Sequence, residues 1–282
     1  MGTLLQSFEE RSVVWIIISS GLGGVIGALI NFMFQQVLTP QLQHRRTSYQ
    51  ALRKYSYPLL RAADKLDRRL ENFINFIDEN WFDNSSDDYY RISALYLFSC
   101  YFGWCKILED EAFLEYETSD KEARLFNIEF YTVFKAMTGF HYFREISGEQ
   151  LSSTKEATIP RLALTAIGEL MIEERKDKNE SPTIIKFTHF AQQYKSSSEF
   201  QKWFSYVERL LVNLKRDQNE ARWNRVVIFA SVLRGFILFL DPKHRMTTPR
   251  EIPYLLYLHP QVRSYLEKEI DEIRHFQKTL NR

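Results

Sequence analysis

The sequence of 282 residues contains only two cysteines, Cys100 and Cys105, which lie close together inside an apolar helical pattern. Their number and spacing exclude a disulfide framework and a structural zinc site, and they favour a reducing compartment. Charge of either sign is also not in excess, with 37 lysines and arginines against 36 aspartates and glutamates. This balance lacks the strongly basic footprint of nucleic-acid-binding proteins. We therefore expect no nucleic-acid partner.

Motifs that carry catalysis are absent as well. The sequence has no GxxxxGK[ST] phosphate loop, no GxSxG elbow and no HExxH zinc helix. Glu272 and His275 stand three apart, and His141 and Glu145 stand four apart. A carboxylate-bridged metal site in a helical bundle needs such pairs in matched sets. We therefore expect a non-enzymatic protein that uses no metal and no cofactor.

Charged side chains are missing from the whole stretch between Ser12 and Gln43, and the central part, Val13 to Phe34, is almost entirely apolar. As a helix, these central residues would span roughly 33 Å, about the thickness of the hydrocarbon core of a bilayer. Trp15 near one end suits the membrane interface. The sequence therefore predicts a single transmembrane helix over residues 12–38.

Two competing interpretations of this stretch fit less well. Glu9 and Glu10 stand where a cleavable signal peptide would have basic residues, and no cleavage site of small residues closes the run. The glycines from Gly21 onward imitate a dinucleotide-binding loop, but Ile26 occupies the position of its third glycine.

The flanking charges predict an orientation. One basic residue precedes the apolar stretch, whereas a basic group follows it that includes Arg45, Arg46, Arg53 and Lys54. Because positive residues are retained on the cytoplasmic side, we expect residues 1–11 outside the cell membrane. The basic juxtamembrane segment 39–50 and a domain over residues 51–282 would lie in the cytoplasm. The basic group either binds anionic lipid or serves the topology alone.

Small and polar residues share one face of the predicted membrane helix. Gly23 and Gly27 form a GxxxG pair, and the same face carries Ser20, Gly24, Ala28, Asn31 and Gln35. Small residues let two helices approach closely in lipid, whereas an amide at that depth needs a partner or water. The face predicts either a plain dimer, a larger oligomer in which Ser20, Gly24, Asn31 and Gln35 line an aqueous path, or contact with another membrane protein.

The remainder of the chain predicts an all-α domain. Apolar residues from Leu52 to Ile77 recur at spacings of seven, and signals for β-hairpins are scarce. Helices are expected from Ser56 (with Pro58 in the first turn), from Asp87 or Asp88 to Tyr116, from Ser119 to Ile146, from Pro160 to Lys176, from Ser197 to Lys215, from Asn219 to Leu240 and from Pro260 onward. Val226 to Leu240 is too short to cross a membrane and contains Arg234, so we interpret it as a core helix.

One helix carries a distinctive aromatic motif, Leu95-Tyr96-Leu97-Phe98 followed by Tyr101-Phe102-Gly103-Trp104 and Ile107-Leu108. The motif resembles one found in an uncharacterised family of bacterial membrane-anchored helical proteins. The resemblance implies a bacterial origin and an anchor joined to a helical domain, but no activity. A glycine inside a helix costs about 1 kcal/mol relative to alanine, so Gly103 predicts a close helix crossing beside Phe102 and Trp104. The alternative is an aromatic ligand pocket.

A basic loop is the best candidate for a charged ligand outside the membrane segment. Lys243, His244, Arg245 and Arg250 cluster near two prolines, and grouped basic side chains can hold phosphate from lipid head groups or nucleotides. The alternative is an ordinary solvated loop.

These features favour a bacterial inner-membrane protein that forms a homo-oligomer. The leading hypothesis is a membrane effector that perturbs the bilayer or opens a pore, a layout common in antiviral defence. The alternatives are an anchored adaptor that recruits a cytosolic protein partner, and a domain that senses a phosphate or nucleotide ligand.

Overall fold

The computed structural model of the chain describes residues 39–84, 88–112, 121–144, 154–175, 177, 180–250 and 254–280. The chain divides into two compact units, Met1–Gln50 and Ala51–Arg282. The predicted membrane helix over residues 12–38 lies outside the described residues, and the first unit is described only as helical backbone from Thr39.

The described part of the chain is all-α, as the sequence predicts. Its α-helices are α1 (Thr39–Asn75), α2 (Trp81–Asn84), α3 (Tyr89–Ala112), α4 (Lys121–Thr138), α5 (Arg161–Leu170), α6 (Phe187–Ser196), α7 (Ser198–Leu211), α8 (Ala221–Leu240) and α9 (Pro260–Leu280). Short 3-10 turns occupy Ile77–Glu79, His141–Phe143 and Tyr254–Tyr257. Within these described ranges, the β structure is limited to a single antiparallel bridge between Ile172 and Ile184.

Helix α8 is the core helix of the second unit. Its side chains are buried from Ala221 to Ile237, with the exceptions of Arg222 and Gly235. It packs against α4, α7 and the turn Tyr254–Tyr257. The helix is long and apolar enough to cross a membrane, with a mean hydropathy of 1.6, but 78% of that window is buried inside the unit. Such burial is typical of a core helix, in agreement with the interpretation of its sequence.

Two glycines allow α3 and α5 to cross at short range. A Cβ atom on Gly168 of α5 would lie 2.6 Å from the backbone carbonyl oxygen of Phe102 in α3. A Cβ atom on Gly103 would lie 2.6 Å from Cδ1 of Ile184 and 3.0 Å from Cβ of Met171. The close crossing predicted from Gly103 is therefore confirmed, and Gly168 is the glycine on the partner helix that allows it.

Helix α1 carries the buried stripe that the spacing of seven predicts. Leu59, Ala63 and Leu66 are fully buried, and burial of a leucine contributes roughly 1.5 to 3 kcal/mol. The predicted start near Ser56 is wrong, because Pro58 lies inside the helix and not in its first turn. The helix continues through the proline although Pro58 has no N–H to donate.

Several predicted boundaries differ from the structure. Helix α7 is capped as expected, since Ser197 Oγ accepts a hydrogen bond of 3.1 Å from the backbone N–H of Phe200. Helix α4 ends at Thr138, immediately before Gly139, and not near Ile146. Helix α5 ends at Leu170, because the chain then turns into the bridge at Ile172.

Helix α6 is absent from the helices that the sequence predicts. It buries only Phe190 and Tyr194, and two apolar anchors are too few for a clear helical period. The ring of Phe190 lies 5.2 Å from that of Phe204 in α7. Aromatic packing between neighbouring helices thus fixes a segment whose own pattern is weak.

Candidate functional site

The residues predicted to form the membrane face, Ser20, Gly23, Gly24, Gly27, Ala28, Asn31 and Gln35, lie outside the described residues. In the basic juxtamembrane group, Arg45, Arg46 and Arg53 belong to the helical backbone of α1, and their side chains are also outside the description. Lys54 is exposed, and its Nζ atom lies 5.0 Å from the ring centroid of Tyr55.

The basic loop after α8 is held by the buried carboxylate of Asp241. This carboxylate accepts hydrogen bonds from the backbone N–H groups of Arg245, Met246 and Thr247 at 2.9 to 3.0 Å, and from the Thr247 hydroxyl at 2.9 Å. Burial acts to raise the pKa of Asp241, but these hydrogen bonds outweigh it and the pKa is lowered. The loop presents the side chains of Lys243 and Arg245 to solvent.

Arg250 does not join Lys243 and Arg245 at the surface. Its Nη1 lies 2.6 Å from Asp67 Oδ2, its Nη2 3.3 Å from Asp64 Oδ1 and its Nε 3.4 Å from Glu71 Oε2. All three carboxylates belong to α1. Of the three predicted phosphate-binding residues of this loop, Lys243 and Arg245 are exposed, whereas Arg250 is engaged by carboxylates.

Arg234 completes this buried ion-pair cluster from α8. Its guanidinium donates to the Asp67 carboxylate and, at 3.0 Å, to the hydroxyl of Tyr254. Burial acts to lower the pKa of Arg234, and the adjacent Asp67 carboxylate raises it overall. The cluster, defined as Asp64, Asp67, Glu71, Arg234 and Arg250, joins α1 to α8 and to the basic loop.

A second buried arginine, Arg225, is satisfied by backbone groups. It donates to the carbonyl oxygens of Ala157 at 2.7 Å, Ala136 at 2.6 Å and Gly139 at 2.7 Å. Two of these carbonyls lie at the C-terminal end of α4, where the helix dipole favours a cation. Burial lowers the pKa of Arg225 to about 9, so the guanidinium is still charged at neutral pH.

A large cavity within the described ranges lies between α4, α8 and α9, with a volume of about 860 Å³. Its walls are mainly apolar and include Leu125, Val232, Phe239, Leu255, Ile270 and Ile273. Cavities of this size and character are the usual sites of small-molecule binding. We refer to it as the α4–α8–α9 cavity.

Glu129 brings a carboxylate into the wall of the α4–α8–α9 cavity. The side chain is half-buried, and its Oε1 accepts a hydrogen bond of 2.6 Å from the Gln277 amide. Burial raises the pKa of Glu129 to about 7. In the part of the chain that the structure describes, no lysine, arginine or histidine forms an ion pair with this carboxylate.

The other acidic residues of the same wall have cationic partners. Glu267 Oε1 lies 2.9 Å from Arg263 Nε, and Asp271 Oδ1 lies 3.6 Å from Arg274 Nη1. The Glu129 carboxylate thus differs from its acidic neighbours in both burial and pairing.

Gly235 of α8 lines the cavity and leaves space there for lack of a side chain. No described atom lies within 4 Å of the position that a Cβ atom would take there. The glycine therefore has no packing reason of the kind that Gly168 has. Instead, the missing side chain enlarges the cavity.

A smaller cavity of about 350 Å³ lies nearby between the end of α4 and α9. Here the Tyr142 hydroxyl donates to Glu269 Oε2 at 2.6 Å, and His141 Nε2 lies 3.9 Å from Glu269 Oε1. Burial lowers the pKa of His141. His141 lies in the 3-10 turn His141–Phe143, and Glu145, four positions further along the sequence, is outside the described residues.

Glu129 is not among the residues that the sequence motifs single out, although a signal is present. Glu129 stands in one helical row with Leu125, Thr132 and Ala136, at spacings of four, three and four. All three of these neighbours are buried. A glutamate within a row of apolar and small residues predicts a carboxylate that faces the core.

Comparison of the chain with protein-family models, with curated proteins and with solved structures finds no match in any of the three.

Proposed function

We propose that the chain is a non-enzymatic, single-pass protein of the bacterial cell membrane that oligomerises through its glycine-rich stretch and acts as a membrane effector. The observation that carries the proposal is the stretch from Ser12 to Gln43, which has no charged side chain and is long enough to cross a bilayer. The basic residues that follow it favour an N-terminus outside the cell and a helical unit inside.

The burial of α8 supports this assignment of the span. Helix α8 also has the length and hydropathy of a membrane helix, but its apolar surface is occupied within the second unit. Its withdrawal into a bilayer would place the charge of Arg234 in lipid and would expose to water the core that packs around Phe229. The N-terminal stretch is therefore the segment that we propose to cross the membrane.

The small residues of this stretch supply a physical reason for assembly. Gly23 and Gly27 allow close helix contact, which is the main source of helix association in lipid. In the proposed helix, the spacing of four places Asn31 and Gln35 on the face of Gly23 and Gly27, and an oligomer would bring their amides together. Around a central axis these amides can hydrate a narrow path through the bilayer, which is the proposed effector activity.

The first test is the protein mass of the detergent-purified particle, corrected for bound detergent, for the wild-type chain and for Gly23→Leu/Gly27→Leu. We expect a discrete assembly of about six or more copies that the double substitution breaks, because leucine side chains prevent the close approach. The matched control is Ile18→Leu/Val25→Leu on the opposite face, which should leave the mass unchanged. A monomer or dimer that is insensitive to the double substitution would overturn the effector proposal and favour an anchored adaptor.

Ion flux from liposomes tests the path itself. The wild-type chain should release a trapped ion, and Asn31→Leu should abolish release while leaving the assembly mass unchanged, since leucine removes a hydrated side chain. Equal release by both proteins would contradict a path lined by this face.

A further inference from the structure

The α4–α8–α9 cavity combines three features that usually exclude one another in a folded core. It is large, its lining is mainly apolar, and it contains a half-buried carboxylate that lacks a cation among the described residues. Burial of an ionisable group without a charged partner is unfavourable. A ligand that supplies the missing cation and covers the apolar wall would relieve both costs.

Gly235 adds a second and independent observation. A glycine in the middle of a helix costs roughly 0.5 to 1 kcal/mol relative to alanine. At Gly168 the backbone of a crossing helix excludes a Cβ atom, whereas at Gly235 no described atom lies within 4 Å of the position of a Cβ atom. Gly235 thus lowers the stability of α8, and the packing of the described residues gives no reason for a glycine at this position.

The polar groups of the wall narrow the chemistry of the ligand. The hydroxyls of Thr132 and Ser231 already donate to carbonyl oxygens of their own helices, at 2.7 and 2.8 Å. Glu267 and Asp271 are paired with arginines. Glu129 is therefore the acidic group of the wall that has no cationic partner among the described residues, and the complement of its carboxylate is an ammonium group.

We propose that the α4–α8–α9 cavity binds an amphipathic organic amine, whose ammonium group donates to the Glu129 carboxylate and whose apolar part lies over Gly235 against Val232 and Ile270. The inference goes beyond the proposed membrane activity, because the site lies wholly within the second unit and requires neither a bilayer nor an oligomer. The volume of about 860 Å³ falls in the range that accommodates drug-sized ligands.

Equilibrium dialysis of the full chain in detergent tests the proposal, with 4-phenylbutylamine as the probe. Its neutral analogue, 4-phenylbutan-1-ol, has a similar shape and reports the apolar contribution and the uptake by micelles. We expect saturable binding of the amine, with the alcohol bound at least about tenfold more weakly, because a hydrogen bond between charged groups is among the stronger polar contacts.

Three variants locate the site. Glu129→Gln should weaken amine binding by roughly tenfold or more while leaving alcohol binding within about twofold. Glu267→Gln, which removes an already paired carboxylate from the same wall, should leave both probes unchanged within about twofold. Gly235→Leu should abolish binding of both probes, since its side chain enters the cavity. Melting temperatures of all variants establish that they are folded.

Equal affinities of wild type and Glu129→Gln for the amine, or equal affinities of the wild type for amine and alcohol, would overturn the proposal. Absence of saturable binding of the amine likewise overturns it, and a change in the mass of the particle on Gly235→Leu would then indicate that a protein segment occupies the cavity. These readouts are independent of the Gly23→Leu/Gly27→Leu mass and of ion flux, so failure of one proposal is distinguishable from failure of the other.

Discussion

Asp67 in α1 and Arg234 in α8 are 167 positions apart in the chain, yet they form a bidentate ion pair within the buried ion-pair cluster. Arg234 Nε lies 3.1 Å from Asp67 Oδ1, and Arg234 Nη2 lies 3.1 Å from Asp67 Oδ2. Both side chains are only 3% exposed. The pair fixes where the longest described helix contacts the core helix.

Asp67→Asn is therefore expected to destabilise the second unit strongly. The substitution keeps the shape of the side chain but leaves a buried guanidinium without its main counter-ion, which costs about 3 to 5 kcal/mol. For a unit of this size, we expect the melting temperature to fall by roughly 10 °C. Differential scanning fluorimetry of the detergent-purified chain would measure the shift.

Glu71→Gln provides the matched control for Asp67→Asn. Glu71 belongs to the same cluster, but its side chain is 31% exposed and lies 3.7 Å from Arg234. We expect a shift of at most about 2 °C, as for a solvent-screened pair. If Asp67→Asn lowered the melting temperature no more than Glu71→Gln, the bidentate ion pair would contribute little to stability.

Substitution by alanine is expected to have opposite effects on stability at Gly168, which lies at a helix crossing, and at Gly235, which faces open space. Gly168→Ala should lower the free energy of unfolding by about 1 to 3 kcal/mol, because its Cβ would lie 2.6 Å from the Phe102 carbonyl oxygen and force α3 and α5 apart. Gly235→Ala should raise it by about 0.5 to 1 kcal/mol, since the added methyl group meets no described atom. Thermal unfolding of both variants checks the sign, and a stabilised Gly168→Ala would contradict the close crossing.

The sequence is sufficient to predict the helical class and the main buried stripes. The spacing of seven along α1 identifies Leu59 and Leu66 as core residues, and both are fully buried. Ser197 marks the start of α7 because its capping hydrogen bond is local. Such features depend on residues within one or two helical turns, so they are visible in the chain itself.

The buried ion-pair cluster is not predictable in the same way, because the residues that form its ion pairs are distant in the chain. Arg250 groups with Lys243 and Arg245 in the sequence, whereas its carboxylates lie about 180 positions earlier. Pro58 is a local signal for a helix start, but the helix continues through it. Tyr55 before the proline and Leu59 after it are both buried in the core. Long-range pairing and packing thus override local signals at these positions.

Arg225→Met is expected to destabilise the unit although it removes a buried charge. Methionine has a similar length, but it leaves the carbonyl oxygens of Ala136, Ala157 and Gly139 without the donors that Arg225 supplies. Each unsatisfied buried group costs about 1 to 3 kcal/mol. We expect a fall in the free energy of unfolding of at least about 3 kcal/mol, measured by thermal denaturation.

A control for Arg225→Met is Arg222→Met, three positions away on the same helix. Arg222 is not buried, although it also donates to backbone carbonyl oxygens, those of Arg209 and Val212. Because water can replace those donors, the loss should be smaller by at least about 1 kcal/mol. An equal loss for both variants would show that burial does not determine the cost at Arg225.

Glu129→Gln is expected to stabilise the protein in a pH-dependent manner. Burial raises the pKa of Glu129 from its ordinary value of 4.5 to about 7. The unfolded chain therefore loses this proton near pH 4.5, while the folded chain keeps it up to about pH 7. The cost of the ionised side chain is absent below about pH 4.5, grows between about pH 4.5 and 7, and is fully present above. Glutamine, which cannot ionise, removes that cost.

The expected gain from Glu129→Gln is about 1 to 2 kcal/mol at about pH 8, allowing for partial exposure of the side chain, and close to zero at about pH 4.5. Its surroundings carry Glu267, Asp271, Arg274 and Gln277 on α9, so Glu267→Gln is the control and should show no such pH dependence. Melting temperatures at both pH values, without added amine, measure the difference. If Glu129→Gln gave the same shift at both pH values, the carboxylate would not be the strained group that the amine-binding proposal requires.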